Sequence, residues 1–130
     1  MNYFWNVTLQ SYFETPPLVD VQAYIAKELK EREWEIVEVP QQPCFCHDWI
    51  DGSWVLDVDR RRDADIIEVR ATRDFKLRTE VDPLAGNALR WADLTNAKRA
   101  EWTQYRTDLL NVPQQSGFPS TINWPTKPTE

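Results

Sequence analysis

Residues 3–13, YFWNVTLQSYF, are rich in aromatic and β-branched side chains and run into Pro16-Pro17, which predicts one strand or a short hairpin ended by proline. The period then changes. Tyr24, Ile25 and Leu29 recur at helical spacing among Lys27, Glu28, Lys30 and Glu31, so a helix is expected over 20–32 with Asp20 as its N-cap. Trp34–Val39 has strand composition and stops at Pro40-Gln41-Gln42-Pro43, a loop that two prolines hold extended. Cys44–Ile50, Asp51-Gly52 and Ser53–Val58 fit a two-residue hairpin, because both positions of a type I′ turn need positive φ and Asp-Gly accepts it. That turn sets a register: Ile50 faces Ser53, Trp49 faces Trp54, His47 faces Leu56 and Phe45 faces Val58. One face then collects the aromatics, with the two indoles edge to face, while Cys46, Asp48, Val55 and Asp57 take the other.

Beyond the hairpin, Ile66, Ile67, Val69, Phe75, Leu77 and Val81 stand among many charges and predict a helix over 65–80. Asp82-Pro83-Leu84-Ala85-Gly86-Asn87 breaks it. A clearer helix follows over 95–110, capped by Asp93 or Thr95, with Trp102, Tyr105 and Leu109 on one face and Pro113 as its stop. Gln114–Glu130 holds three prolines, one glycine and two large aromatics without helical period, and reads as an extended arm. The expected fold class is α+β: a small antiparallel sheet from 3–13, 34–39 and 44–58 with a tryptophan hairpin, two or three helices, and the Pro-rich C-terminal arm. Three regions follow, an α+β sheet region over 1–62, a helical region over 63–113 and the arm over 114–130.

Composition narrows the function. With 130 residues, 42% apolar and seven tryptophans, the chain can bury one core, and it has no run of the ~20 apolar residues that cross a membrane. A net charge of −6 repels the phosphate backbone, so nucleic acid is not an expected partner. The charge is uneven: residues 1–59 carry net −8 and residues 60–130 net +2, the change falling at Arg60-Arg61-Arg62, which reads as a solvated turn with local ion pairs to Asp57, Asp59, Asp63 and Asp65. The opening Met1-Asn2-Tyr3-Phe4-Trp5 lacks the charge and apolar run of a signal peptide, so a cytosolic setting and reduced cysteines are expected.

Little in the chain suggests catalysis. Cys44-x-Cys46-His47 is the one soft-ligand cluster, yet on an extended strand His47 points away from both cysteines and no second pair completes a zinc set, so no metal is expected and His47 reads as an aromatic-face residue. Cys44 and Cys46 on a strand also lack disulfide geometry. The four aspartates around the arginine run match no calcium loop, and three glycines make no phosphate loop. An enzyme is therefore not expected, nor is a cofactor. What remains is an excess of Trp and Tyr, the residue types that anchor interfaces. Phe118 and Trp124, beside Pro119 and Pro125, either fold back on their own domain or bind another chain.

The C-terminal third resembles the ending of bacteriophage tail fibre assembly chaperones. The pattern is a helix with Trp102 and Tyr105-Arg106, then Pro113-Gln114, Gly117-Phe118-Pro119, and a closing Trp124-Pro125-Thr126-Lys127-Pro128. Pro43, His47, Trp49 and Asp51-Gly52-Ser53-Trp54-Val55 resemble those proteins' tryptophan hairpin, and Arg70-x-x-Arg73-Asp74-x-x-Leu77 their basic helix, so the likeness spans about residues 43–128. It implies a protein of the infected host cytoplasm that binds the tail fibre polypeptide, through its C-terminal region, and assists folding and trimerisation. The candidate partner-binding residues are Trp102, Tyr105, Arg106, Phe118, Pro119, Ile122, Trp124 and Pro125. The alternative is a structural virion protein retained at the fibre tip in a receptor-binding role.

Overall fold

The computed structural model describes residues 1–130 and divides into two compact units, Met1–Arg61 and Arg62–Glu130. The first is built on a three-stranded antiparallel sheet of order β2-β1-β3, from β1 (Asn2–Asn6), β2 (Ser11–Thr15) and β3 (Ile36–Glu38). The aromatic run 3–13 is thus a hairpin, with Phe4 opposite Phe13 and their rings stacked at 5.4 Å. Asn6 turns the corner: it is 1% exposed, and its side-chain carbonyl accepts the Leu9 N–H at 2.9 Å. Helix α1 (Val21–Arg32) begins where its cap was expected, the Asp20 carboxylate accepting the Ala23 N–H, and lays Tyr24 against Phe4. Phe4, Trp5, Ile36, Val39 and Cys46 are this unit's buried apolar residues.

The hairpin of β4 (His47–Ile50) and β5 (Ser53–Leu56) has the expected register, His47 opposite Leu56, Trp49 opposite Trp54 and Ile50 opposite Ser53. Asp51 and Gly52 take φ of 48° and 81°, the two left-handed positions of the turn. The Trp49 and Trp54 rings meet at 5.2 Å and 73°. The hairpin departs from expectation in not joining the sheet of β1–β3. It is a separate two-stranded sheet, joined by packing: Trp54 sits edge-on to Trp5 and Tyr12 and donates its indole N–H to the Pro40 carbonyl at 3.1 Å.

Two further corrections concern its ends. Phe45 and Val58 do not pair, because the chain turns before His47 and becomes helical at Val58. In that turn Cys44 and Cys46 form a disulfide, with Cα atoms 5.3 Å apart. An extended strand would separate them by about 6.6 Å with parallel side chains; the bend brings them together. The same bend carries His47 Nδ1 to 3.2 Å from Cys44 Sγ, so the histidine does not point away from the cysteines.

Helix α2 spans Val58–Lys76 and continues as a π-helical turn, Leu77–Val81. The arginine run is therefore helical rather than a turn. Asp57 caps it, accepting the Arg60 N–H at 2.9 Å, and the Arg60 guanidinium reaches Asp48 at 2.7 Å and Asp57 at 3.2 Å. In the second unit the break expected over Asp82–Asn87 falls at its end, where Gly86 turns and Asn87 is extended, while Asp82–Ala85 is itself helical. Pro83 occupies the first turn of α3 (Asp82–Ala85), where a missing N–H costs nothing, and Asn87 caps α4 (Ala88–Ala92). Helix α5 (Asn96–Leu110) starts at Thr95, whose hydroxyl accepts the Lys98 N–H. Arg99 fastens it to α4, donating to the Trp91 and Ala92 carbonyls at 2.9 and 2.7 Å. Val81, Leu84, Trp102, Tyr105 and Leu109 form the core here, with Leu77, Trp91, Leu94 and Trp124 packed around it.

Candidate functional site

The candidate residues all lie in the second unit, on α5 and the chain after it. Helical spacing of three and four aims Trp102, Tyr105 and Leu109 inward, and they are 2%, 3% and 0% exposed. Trp102 and Tyr105 belong to the core of this unit. The Tyr105 hydroxyl donates to a Glu80 carboxylate oxygen, and Lys76 Nζ stands 3.8 Å from the other oxygen. Burial, then the bond to Glu80 and its negative charge, raise the Tyr105 hydroxyl well above an ordinary tyrosine, so it stays a neutral donor. Arg106, one position on, is exposed.

After α5, a 3-10 turn (Val112–Gln114) buries Val112, and the chain reverses. The Phe118 N–H donates to the Gln115 carbonyl at 3.1 Å and the Thr121 N–H to the Gly117 carbonyl at 2.8 Å. Glycine is required at 117 by contact: a Cβ there would lie 2.4 Å from the Thr121 carbonyl oxygen. The loop is clasped by one amide, Gln115 donating to the Asn123 carbonyl at 2.8 Å and accepting its N–H at 2.9 Å. Pro119 is buried within it, and Phe118, Ile122, Trp124 and Pro125 are partly buried. Trp124 then packs on the core with Lys76 Nζ 5.9 Å from its ring centre.

The last residues continue along the same unit. Lys98 Nζ donates to Thr129 Oγ1 at 3.1 Å, and Arg90 pairs with the Glu130 carboxylate. Residues 114–130, expected as an extended arm, instead form a turn and a backbone segment fastened to α4 and α5. Two grooves, of ≈ 430 and ≈ 420 Å³, flank Pro125. One is lined by Glu101, Gln104, Tyr105 and Asp108 with residues 125–128, the other by Asp108, Asn111, Gln115 and Asn123 with residues 124–126. Their carboxylate and amide groups can hydrogen-bond an extended backbone, beside the apolar faces of Trp124 and Pro125.

Residues 66–129 match the phage tail assembly chaperone protein family. This segment belongs to that family. The matched stretch begins within α2 and takes in the reversing loop and the closing segment, so the chaperone segment is the helical unit just described. The tryptophan hairpin lies outside it. No curated protein and no solved structure matches the chain. A role in tail assembly, with a phage tail protein as partner, follows from the family. No helix is long and apolar enough to cross a membrane.

The roles of Gln115, Gly117 and Asn123 were missed in sequence. The signal was a glycine four residues before Thr121 and two amides eight apart, a pattern too sparse to read without the fold.

Proposed function

We propose that this protein binds the tail fibre polypeptide in the host cytoplasm and assists its folding and trimerisation without a catalytic step. The observation that carries the reading is the chaperone segment over residues 66–129, whose closing Trp124-Pro125 element lines the grooves beside α5. Trimeric fibre tips are intertwined β structures of high contact order, so their chains expose strand edges and apolar surface before they assemble. An extended strand of the fibre's C-terminal region fits the two grooves, its backbone bonded by Gln104, Asp108 and Asn111 and its side chains resting on Trp124 and Pro125, while Phe118 and Ile122, partly exposed on the same segment, add apolar surface for the partner. Arg106 contributes charge at the rim. Trp102, Tyr105 and Pro119 act from beneath by holding that surface in shape.

Co-expression with the fibre polypeptide tests this: the yield of soluble trimer should rise several-fold, and Arg106→Glu together with Pro125→Ala should remove most of the gain while the chain stays folded. A fibre that trimerises equally well alone refutes the proposal. Mass spectrometry that finds this protein at fibre stoichiometry in purified virions would replace it with a retained role at the fibre tip.

A further inference from the structure

The tail assembly segment leaves unexplained the turn that carries Cys44, Cys46 and His47. One ligand atom from each of these residues lies within 4.8 Å of the other two. His47 Nδ1 is 3.2 Å from Cys44 Sγ and 4.0 Å from Cys46 Sγ. A tetrahedral zinc ion, with bonds of about 2.3 Å to sulfur and 2.0 Å to nitrogen, separates those atoms by about 3.5 Å, between the two observed distances. We propose that the reduced chain binds one zinc ion through Cys44 Sγ, Cys46 Sγ and His47 Nδ1, the fourth position being open to water or to a side chain of a bound protein.

Reduction comes first. A dithiol reductant supplies two electrons and two protons, the Cys44–Cys46 bond breaks to two thiols, and the reductant leaves as its own disulfide. Zinc then displaces both thiol protons, and two thiolates with a neutral imidazole make the bound ion electrically neutral. That neutrality matters because Cys46 is fully buried, where an uncompensated thiolate would be costly. Cys44 and His47 are partly exposed, so the site has a closed floor and an open mouth.

The turn is held by bonds that survive reduction. The His47 N–H donates to the Cys44 carbonyl at 3.1 Å, the Asp57 N–H to the Cys46 carbonyl at 2.7 Å, and the Gln42 amide to the His47 carbonyl at 2.6 Å. Arg60 Nη1 donates to the Phe45 carbonyl at 2.9 Å. The Cys46 N–H also points at Cys44 Sγ, 3.4 Å away, a donor suited to a thiolate. The backbone that carries the three ligands is therefore held by the hairpin and the start of α2, while the two sulfurs, once reduced, separate to about 3.8 Å to share the ion.

The experiment uses the full chain, reduced anaerobically with dithiothreitol, desalted and titrated with Co²⁺ and then Zn²⁺. The expected result is one Co²⁺ per reduced chain, with thiolate-to-cobalt charge-transfer absorption that Zn²⁺ abolishes, and no uptake by the oxidised chain. Cys44→Ser and His47→Ala, both at partly exposed positions, should each weaken binding by at least about tenfold. Absence of uptake by the reduced chain, equal uptake by the oxidised chain, or affinity unchanged in both variants would each overturn the proposal.

Discussion

Trp124→Ala asks whether the closing segment is part of the fold. Truncating a fully buried Trp costs ~3–5 kcal/mol. Trp124 is partly buried against the cluster of Val81, Leu84, Trp102, Tyr105 and Leu109, which scales the loss to ~2–3 kcal/mol. Withdrawing the ring from Lys76 Nζ, 5.9 Å away, removes a further ~0.5 kcal/mol. The unit Arg62–Glu130 has the size for which each kcal/mol moves Tm by about 4–8 °C, so a fall of at least ~10 °C is expected. The assay is thermal unfolding followed by far-ultraviolet circular dichroism at the longer-wavelength helical minimum, where the helices dominate the signal. A variant melting within ~2 °C of the parent would refute the packing argument. If that variant also lost fibre binding, Trp124 would be an anchor spent on the partner, not on its own core.

Gly117→Ala should destabilise by ~1–3 kcal/mol, because its Cβ meets the Thr121 carbonyl at 2.4 Å within the reversing loop; an unchanged urea midpoint would refute the contact. Tyr105→Phe should cost about 1.5–3 kcal/mol in urea unfolding by removing the donor to Glu80, and equal midpoints would show that bond to be immaterial. Burial and Glu80 raise the Tyr105 hydroxyl in the folded state, so its contribution is complete below the unfolded value near ~10 and is lost as pH climbs through the folded value. The Phe variant should therefore lose less stability between pH ~9 and ~11.5, and an identical alkaline slope would contradict this. Asp57 is held below the ordinary carboxylate range, first by the Arg60 N–H and then by the Arg60 charge. Its contribution is present above the unfolded value near ~4 and is lost as pH falls through the folded value, so Asp57→Asn should flatten acid unfolding between pH ~5 and ~2, as followed by circular dichroism.

The features legible in the chain were those decided within a few residues. Asp51-Gly52 demands a left-handed pair and with it the Trp49–Trp54 register, whatever surrounds the hairpin. Asp20 and Thr95 cap α1 and α5 through bonds to residues three positions on. The α+β class followed from these units. So did the inward face of α5, since a spacing of three and four places Trp102, Tyr105 and Leu109 together on any helix. The chaperone likeness was legible for a related reason: its motif elements, Trp102 and Tyr105-Arg106 on α5, Gly117-Phe118-Pro119 in the reversing loop and Trp124-Pro125 in the closing segment, are short and follow one another closely in the chain.

What sequence alone left open was decided by contacts distant in the chain. Residues 58–64 are too charged to show an apolar period, and their helix rests on the Asp57 cap and on Arg60 reaching back to Asp48. Period-two patterning makes strands but does not distinguish a shared sheet from two packed ones; Trp54 lying on Trp5 and Tyr12 makes the difference. One bend before His47 inverted the expected relation of the histidine to both cysteines, because side-chain direction on a strand reverses with every residue. The destination of Trp124 was the widest gap. Composition favoured a free arm over a docked one, and the choice lies in the Gln115–Asn123 clasp and the close approach of Gly117 to Thr121, which turn the chain back toward the core of its own unit.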